Sequence, residues 1–506
     1  MSIQAKVVPV ANTVSEIYSG DISSQEERYL NLINKFQEIY GTKPQFIARS
    51  PGRVNVIGEH IDYCGMPVFP MAVEQDTLIA FNSKDGTAVN VANTNSKKYP
   101  SFVFEYSKEN IVTIDPKIHA WSNYYKCGYK GALEKMKIDN PKGMDCLVDG
   151  DVPTGAGLSS SSSLVCTVVL ATQKANGYEL DKEQIVNTSV ASERYTGVNG
   201  GGMDQTCSVM ATRSSALFIE FHPFLKVTPV KFPSSEQKYA FVVANSLVVS
   251  DKHITAPVCY NLRVVETRIA SLMLAQTLKL DQNSTVKEAN PLTMKVVMDV
   301  LFANQDTSSM SEVDIWINRL NAMLAHTETI FGDHVDGYSW KECADYLHMS
   351  IEELKLKVRA DLYPVRAEFL QIYKRTKHVF SETLRVVLFR QTCEEAKGSD
   401  VYPELGNLMN QSQDSCDKLF DCSCKELNEL CQTARDNGSL GSRLTGAGWG
   451  GCTISLLPES KVESFIQSVK DSYYKKHFPS LSEEQLKNSI FATKPGSGMY
   501  IVNVKQ

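Results

Sequence analysis

The feature that most restricts the fold of this 506-residue chain is a run of glycine and serine that leads directly into an apolar stretch. The run reads Pro153-Thr154-Gly155-Ala156-Gly157-Leu158-Ser159-Ser160-Ser161-Ser162, and residues 163–176 after it are mostly small and apolar. Glycine leaves backbone N–H groups free to point at an oxygen, and the first turn of a helix adds unpaired N–H groups and the positive end of its dipole. We therefore expect a helix over 163–176 with an anion, such as a phosphate, at its start. A serine-rich turn that only caps the helix is an open alternative for this segment alone.

Two widespread nucleotide-binding motifs do not account for this run. The chain contains no G-x-x-x-x-G-K-[ST] sequence, which excludes a Walker-type loop. A G-x-G-x-x-G pattern occurs at Gly446, Gly448 and Gly451, but the strand-like residues 452–455 follow it where a dinucleotide site requires a helix. The catalytic-loop signatures of protein kinases are also absent.

Helical and strand-like patterns follow one another irregularly along the chain. The predicted helices cover 25–40, ending near Gly41, then 163–176 and 181–195, and most of 261–437 except a polar surface loop at 306–312. The predicted strands lie within 46–81 and at 216–221, 239–246, 452–457 and 499–504. Because the order is not strictly βαβ, and because single cores rarely exceed about 250–300 residues, we expect an α+β organisation in two lobes.

Composition and charge argue against several classes of protein. The net charge is −6, and no dense stripe of Lys and Arg interleaves with aromatic residues, so a nucleic-acid binder is not expected. No segment offers about 18 consecutive apolar residues, and residues 1–20 lack a basic stretch followed by an apolar run, so neither a membrane span nor a secretory signal is predicted. The 13 cysteines form no regular framework, which predicts free thiols in a reducing compartment. We expect a cytoplasmic protein that binds small molecules.

A second polar segment lies in a strand-and-turn stretch early in the chain. It places Arg53, Glu59, His60 and Asp62 close together in the sequence. Carboxylates and imidazole accept and donate hydrogen bonds to the hydroxyls of a neutral polyol. Polar residues on a surface loop would give the same pattern, so this segment alone does not decide between the two interpretations.

Three further residues have both a functional and a plain interpretation. Asp204 follows three glycines, where the backbone can bring a carboxylate close to a ligand, but it can also be a helix N-cap. Glu193 lies near a helix end beside Arg194 and can be part of a solvated ion pair. Trp121 can be an aromatic wall for a base or a core residue.

Three longer motifs carry a resemblance to a known family. They are GRVNVIGEHIDY at 52–63, VPTGAGLSSS at 152–161 and LTGAGWGGC at 444–452, with shorter matches at 192–195, 201–205 and 260–266. Together they resemble the GHMP small-molecule kinase superfamily and, within it, the eukaryotic galactokinase family. The matches extend over most of the chain.

The resemblance implies a fold, a reaction and a division of the chain. The fold would be the two-lobe α+β GHMP kinase structure, with the active site in the cleft between the lobes. Residues 1–45 would form an N-terminal extension and helix, 46–225 the N-terminal lobe with the phosphate loop, and 226–506 the C-terminal lobe with a helical insertion. The reaction would be the phosphorylation of the anomeric hydroxyl of galactose by ATP, with Mg²⁺, to give galactose 1-phosphate, the first committed step of galactose catabolism. Oligomeric state is not implied.

The resemblance also implies roles for individual residues. Asp204 would orient or deprotonate the anomeric hydroxyl, and Arg53 would stabilise charge on that oxygen and on the γ-phosphate. The sugar pocket would be lined by Arg53, Glu59, His60, Asp62, Gly202, Asp204 and Tyr260. ATP would be bound by Trp121, Gly155, Gly157, Leu158, Ser159, Ser160 and Ser161, and Mg²⁺ by Ser161 and Glu193.

The chain departs from the family pattern in two places. Ser162 and Ser163 stand where the phosphate loop of the family usually continues with two alanines. The change is small and keeps the loop length, so we expect activity to survive. Ser412-Gln413 stands where the family has a Ser-His pair, and the sequence does not predict the effect.

Two other functions fit the same motifs. An N-acetylgalactosamine kinase would need a pocket that admits an acetamido group, and Tyr260 looks more like the galactose enzymes. A catalytically silent galactose sensor would bind ATP and sugar and then engage a transcriptional repressor. Such sensors have a shortened phosphate loop, and this chain has lost no residues there.

Overall fold

The structure is a computed structural model that describes residues 6–115, 118, 120–197, 200–248, 257–280, 291–361, 365–396 and 400–504. Its strands are β1 (Val10–Ala11), β2 (Phe46–Ile57), β3 (Phe69–Lys84), β4 (Ala88–Asn93), β5 (Phe102–Glu105), β6 (Gly143–Gly150), β7 (Ser215–Glu220), β8 (Lys226–Lys231), β9 (Tyr239–Asn245), β10 (Tyr338–Ser339), β11 (Phe369–Leu370), β12 (Gly441–Thr445), β13 (Cys452–Pro458), β14 (Ile490–Thr493) and β15 (Tyr500–Asn503). Its main helices are α1 (Ser23–Tyr40), α2 (Trp121–Met136), α3 (Ser160–Ala175), α4 (Lys182–Glu193), α5 (Met203–Met210), α6 (Tyr260–Thr277), α7 (Met294–Leu301), α8 (Glu312–Phe331), α9 (Trp340–Tyr346), α10 (Ile351–Lys357), α11 (Ile372–Glu395), α12 (Tyr402–Lys418), α13 (Lys425–Asp436), α14 (Val462–Val469) and α15 (Glu483–Ser489). Helices and sheets are mixed along the chain, which confirms the predicted α+β class.

The larger sheet has seven strands in the order β1-β15-β2-β3-β6-β4-β5. β2 and β3 form its long antiparallel centre, and β15 from the end of the chain lies antiparallel to β2. Successive side chains of a strand point to opposite faces, and here both faces are covered. Ile47 packs in a cluster with α1, whereas Ala48 packs in a cluster with α2, α3 and α4. This double cover explains why β2 is buried along nearly its whole length.

The smaller sheet has four antiparallel strands in the order β12-β13-β9-β14. Val242 of β9 packs against α13, α14 and α15, and Val243 on the other face joins the largest apolar core with the helices between α6 and α13. The same core contains Val54 and Val56 of β2 and Leu158 of the glycine-serine run. This core therefore links the two sheets at the place where the sequence motifs lie.

The predicted helices are found with small shifts of their ends. α1 confirms the helix at 25–40 and ends at Tyr40, followed by Gly41 as its C-cap with a left-handed φ of 79°. The helix predicted at 163–176 begins at Ser160 instead, because Ser159, with a φ of 61°, is the last residue of the loop. The helix predicted at 181–195 ends at Glu193 and continues as a 3-10 turn.

The predicted helical region at 261–437 is confirmed where it is described. Its polar loop, predicted at 306–312, lies between α7 and α8 up to the N-cap Ser311, and Glu312 already belongs to α8. The sequence pattern misses the β10–β11 ribbon, because strands of two residues leave no alternation to detect. The parts of this prediction at 281–290, 362–364 and 397–399 lie outside the described residues. Among the helices of the described ranges, none combines the length and apolarity needed to cross a bilayer.

Candidate active site

The three long sequence motifs meet backbone to backbone. A Cβ atom on Gly52 would lie 2.7 Å from the carbonyl oxygen of Leu158, and one on Gly157 would lie 2.8 Å from that of Thr445. A Cβ on Gly446 would clash with the carbonyl oxygen of Gly157. Only glycine permits these approaches, so the glycines of the motifs are explained by contact between the motifs themselves.

The glycine-serine run forms a loop between β6 and α3. Gly155 and Gly157 have left-handed φ values of 72° and 75°, which let the loop turn twice before the helix. Ser160 and Ser161 then form the first turn of α3, where backbone N–H groups have no intrahelical partner. The buried hydroxyl of Ser159 has no hydrogen-bond partner among the described residues. A buried, unpaired hydroxyl at a helix N-terminus fits a phosphate group.

Arg53 lies where the loop meets α5. Its Nε and Nη2 each lie 2.7 Å from Oδ1 of Asp204, and its Nη1 donates to the carbonyl oxygen of Gly157 at 2.7 Å. Burial disfavours the charge on Arg53, but the carboxylates of Asp204 and Glu59 outweigh it and raise the pKa of the guanidinium. The structure thus brings the two predicted catalytic residues into direct contact beside the phosphate loop.

Asp62 lies next to the triple-glycine segment that precedes α5. A Cβ on Gly201 would lie 2.5 Å from Oδ2 of Asp62, so Gly201 is the glycine in closest contact with this carboxylate. The predicted Gly202 is the last residue before α5 and has a φ of 105°. Burial, followed by repulsion from Asp204, raises the pKa of Asp62 to about 6.

Glu59 connects the first motif to the third. Its carboxylate accepts hydrogen bonds from Nη2 of Arg443 at 3.1 Å and from the backbone N–H of Gly446 at 3.2 Å. Burial raises the pKa of Glu59 to about 7, although Arg443 and Arg53 oppose the shift. Sequence reasoning missed Arg443, which lies just before the third motif.

His60 makes a second connection between the same motifs. Its Nε2 lies 2.8 Å from the carbonyl oxygen of Ala447, which can only accept, so Nε2 carries the proton. Its Nδ1 lies 3.1 Å from the hydroxyl of Tyr63 and accepts from it. The described contacts of Glu59 and His60 are therefore with protein groups, and their predicted contact with sugar stays a prediction.

Aromatic rings surround His60. The centroid of the predicted pocket residue Tyr260, the first residue of α6, lies 5.6 Å from that of His60. Phe420 and Trp449 lie at 5.1 and 5.5 Å, and neither was predicted. Trp449 belongs to the third motif, which was the available signal for it, whereas Phe420 lies in no motif.

Trp121 packs at the edge of the apolar core that contains α2, α3 and α4. It is the first residue of α2, it is partly exposed, and its ring packs against Tyr99 and Phe102. The neighbouring Lys98 donates from Nζ to the hydroxyl of Thr154 in the loop at 2.8 Å. This position is compatible with the predicted contact with adenine.

Glu193 lies at the C-terminal end of α4 and faces the start of α3. The Oγ of Ser162 lies 3.0 Å from both of its carboxylate oxygens, and Nε2 of Gln205 also donates to it. Ser161, the other predicted metal ligand, immediately precedes Ser162. The described ranges contain no group of three or more His, Cys, Asp or Glu side chains able to hold a metal. Mg²⁺ in kinases usually needs only one or two protein oxygens besides the phosphates, so Ser161 and Glu193 fit it.

The departures from the family pattern are accommodated in the structure. The hydroxyl of Ser163 donates to the carbonyl oxygen of Ser50 at 2.7 Å. Gln413 accepts from the backbone N–H of Leu444 at 2.8 Å and donates to Ser423 and Asn428 at 3.1 and 2.9 Å. Both substituted residues are buried with hydrogen-bond partners, so neither disturbs the site through an unpaired polar group.

Comparison with known proteins places this geometry in context. Family models match the chain at residues 34–83 (galactokinase galactose-binding signature), 123–212 (GHMP kinases N terminal domain) and 399–475 (GHMP kinases C terminal). The chain is 40% identical over 498 residues to a galactokinase of Saccharomyces cerevisiae, with 93% of this chain and 94% of that protein aligned. It is 39% identical over 519 residues to a galactokinase of Dictyostelium discoideum, with 98% and 97% aligned.

A solved structure shares the fold. The crystal structure of Lactococcus lactis galactokinase complexed with galactose superposes with a TM-score of 0.65 at 24% identity, covering 93% of this chain and 99% of that one. At this identity the likeness shows the fold, and the curated relatives above show the family. The chain belongs to the galactokinase family of GHMP kinases.

Proposed function

We propose that the chain transfers the γ-phosphoryl group of ATP to the anomeric hydroxyl of galactose. The observation that supports this most is the position of Arg53. One side chain contacts both Asp204, the candidate group for the sugar hydroxyl, and Gly157 of the phosphate loop. Phosphoryl transfer depends mainly on bringing acceptor and donor together and stabilising charge, which this arrangement provides.

The acceptor side of the reaction falls to Asp204. Its carboxylate receives the proton of the anomeric hydroxyl as the sugar oxygen bonds to the γ-phosphorus and the bond to the bridging oxygen of ADP breaks. Arg53 fixes the orientation of Asp204 through two donors 2.7 Å from Oδ1. The same guanidinium offsets charge on the transferring group. Asp62, Tyr260 and Gly202 line the sugar pocket, together with Glu59 and His60.

The donor side falls to the phosphate loop. The backbone from Gly155 to Ser161 holds the triphosphate at the N-terminus of α3, and Trp121 packs against adenine. Mg²⁺ held by Ser161 and Glu193 would neutralise charge on the β- and γ-phosphates.

The proposed division puts 1–45 in an N-terminal extension and helix, 46–225 in the N-terminal lobe and 226–506 in the C-terminal lobe, and the larger sheet takes strands from all three ranges. β1, α1 and β15 all pack in or on the seven-stranded sheet. The proposed cytoplasmic location is supported by the cysteines, since no disulfide joins any of them within the described residues.

A sugar panel tests the proposal. Purified protein with ATP and Mg²⁺ is assayed for ADP release with galactose, with N-acetylgalactosamine and without sugar, and galactose 1-phosphate is identified by ³¹P NMR. We expect release that depends on galactose. Faster turnover of N-acetylgalactosamine than of galactose would identify N-acetylgalactosamine as the substrate. Binding of ATP and galactose without release of ADP would favour a sensor.

A further inference from the structure

Three helix ends meet around the carboxylate of Glu193. Ser162 comes from the first turn of α3, Glu193 is the last residue of α4, and Gln205 comes from the first turn of α5. Ser162 and Gln205 are 2% and 3% exposed, so both donors lie in the protein interior. Hydrogen bonds to an ionised group are stronger than neutral ones, and burial strengthens them further.

The chemistry of the groups fixes the direction of each hydrogen bond. A carboxylate only accepts, so Gln205 must turn its amide nitrogen toward Glu193, and Ser162 must give its one proton to Glu193. The Ser162 oxygen is then available to accept from Nε2 of Gln205, which lies 3.4 Å away. The Oε1 of Gln205 is buried and accepts no hydrogen bond from any described residue. The orientation of the Gln205 amide is therefore set by Glu193, and the two side chains constrain each other.

We propose that Gln205 is a positioning residue that fixes Glu193 for a divalent cation, with Ser162 as the second support. The inference rests on the proposed use of Mg²⁺ by this site. Gln205 directly follows Asp204 in α5. One helical turn thus orients both the carboxylate for the sugar hydroxyl and the carboxylate for the metal, and it fixes the distance between them.

The size of the effect follows from other metal sites. Removing a group that orients a metal ligand typically lowers metal affinity about 10–100-fold. Part of the binding free energy must then be used to fix the orientation of the ligand side chain. Gln205 should matter more than Ser162, since its amide nitrogen donates to Glu193 and also approaches the Ser162 oxygen, whereas Ser162 supports Glu193 alone. We expect the dissociation constant of the metal to rise about tenfold without Gln205 and by a smaller factor without Ser162.

The test uses the full chain and Mn²⁺ as the probe. Gln205→Met keeps the length of the side chain and removes both polar atoms, and Ser162→Ala removes one hydroxyl. Gln467→Ala is the matched control, because Gln467 also donates to a carboxylate, that of Asp471, on the exposed surface of the protein. The dissociation constant of Mn²⁺ is measured by EPR in the presence of a non-hydrolysable ATP analogue. Thermal unfolding and the affinity for galactose are measured in parallel.

The inference predicts weaker Mn²⁺ binding by Gln205→Met, unchanged binding by Gln467→Ala and a galactose affinity within about twofold of the parent in all variants. An unchanged Mn²⁺ constant in Gln205→Met would overturn it, as would an equal loss of galactose and Mn²⁺ binding. If Gln205→Met does not fold, Ser162→Ala is used in its place: an unchanged Mn²⁺ dissociation constant, or an equal loss of galactose and Mn²⁺ binding, would overturn the inference. The Mn²⁺ titration does not depend on turnover, so it tests the role of Gln205 even if the parent fails to phosphorylate galactose. A parent that binds no Mn²⁺ would overturn the inference.

Discussion

At the scale of single residues, the site depends on side chains that each serve two neighbours. Arg53 holds Asp204 on one side and the carbonyl oxygen of Gly157 on the other. Its planar guanidinium presents donors in a fixed fork, so the two contacts also fix the distance between them. Lysine, with one rotating ammonium group, would not reproduce this geometry.

Glu59 gives stability a pH dependence of known sign. Burial raises its pKa to about 7 against the pull of Arg443 and Arg53. The folded chain therefore binds this proton more tightly than the unfolded chain. The group favours folding below its ordinary pKa of 4.5, and that contribution is lost as the pH rises through 7.

We predict that Glu59→Gln removes this part of the pH dependence. The free energy of unfolding in urea is measured at pH 5 and pH 8 for the parent and the variant. From pH 5 to pH 8 the free energy of unfolding should fall by on the order of 2 kcal/mol more in the parent than in the variant. The reason is that the glutamine of the variant has no proton to release. An equal loss in both proteins would mean that Glu59 titrates normally in the folded chain.

At the scale of elements, the phosphate loop and the third motif form one unit. Gly446 has a φ of 89°, and a side chain there would collide with the backbone of Gly157. The start of α3 is thus supported from a segment nearly 300 residues further along the chain. The contact predicts that changes in the third motif act on nucleotide binding.

Gly446→Ala tests this link. Alanine at this position should push the phosphate loop away from the third motif and reduce kcat/KM for ATP about tenfold or more, since small displacements of positioned groups are costly. Gly177→Ala is the matched control, because Gly177 has a similar φ of 77° but nothing within 4 Å of its Cβ. The control carries the backbone strain alone and should keep its activity. Equal kinetics in the two variants would show that the contact has no functional role.

Local patterns predicted α1, α3, α4 and several strands, but they gave no prediction for α2 or for strands β4, β5, β6, β8 and β14. The glycine-serine run by itself indicated an anion site, whereas the roles of Arg53 and Asp204 came from the family resemblance and stay predictions that their mutual contact supports. The start of α3 was misplaced because serines in its first turn look like loop residues, although they also fit a helix N-terminus.

The missed residues were those whose partners lie far away in sequence. Arg443 contacts Glu59 although nearly 400 positions separate them in the sequence, and the local sequence around neither residue predicts this ion pair. Gln205 was quoted within a motif, but its role depends on Glu193 and Ser162 in two other helices. A pairing of this kind is a property of the packed chain and not of any segment.

At the scale of the whole molecule, the two ends of the chain meet in one sheet. β1 runs parallel to β15, and β15 is antiparallel to β2, which carries the first motif. α1 is tied to the same sheet by Arg28, which lies 2.8 Å from Asp76 and 2.6 Å from Asp149. The site is therefore built on a sheet that the terminal segments hold together.

We predict that Arg28→Met lowers the free energy of unfolding by about 3 kcal/mol, because it leaves the buried Asp76 with less compensation for its charge. The affinity for galactose should change little, since Arg28 lies outside the site. Lys341→Met, which breaks an exposed pair with Asp345, is the control and should cost less than about 1 kcal/mol. The free energy of unfolding in urea is measured for the parent and both variants. Similar losses in the two variants would show that the ion pairs of Arg28 do not stabilise the fold.

If the phosphate loop, Arg53 and Asp204 form one phosphoryl-transfer site, Asp204→Asn is the variant that should impair it most. The measurement is the initial rate of galactose 1-phosphate formation, with the affinity for an ATP analogue determined on the same protein and Asp471→Asn as a surface control. We predict that turnover falls by about 10³-fold or more in Asp204→Asn while ATP affinity stays within about twofold. Turnover close to that of the parent would show that Asp204 takes no part in the transfer.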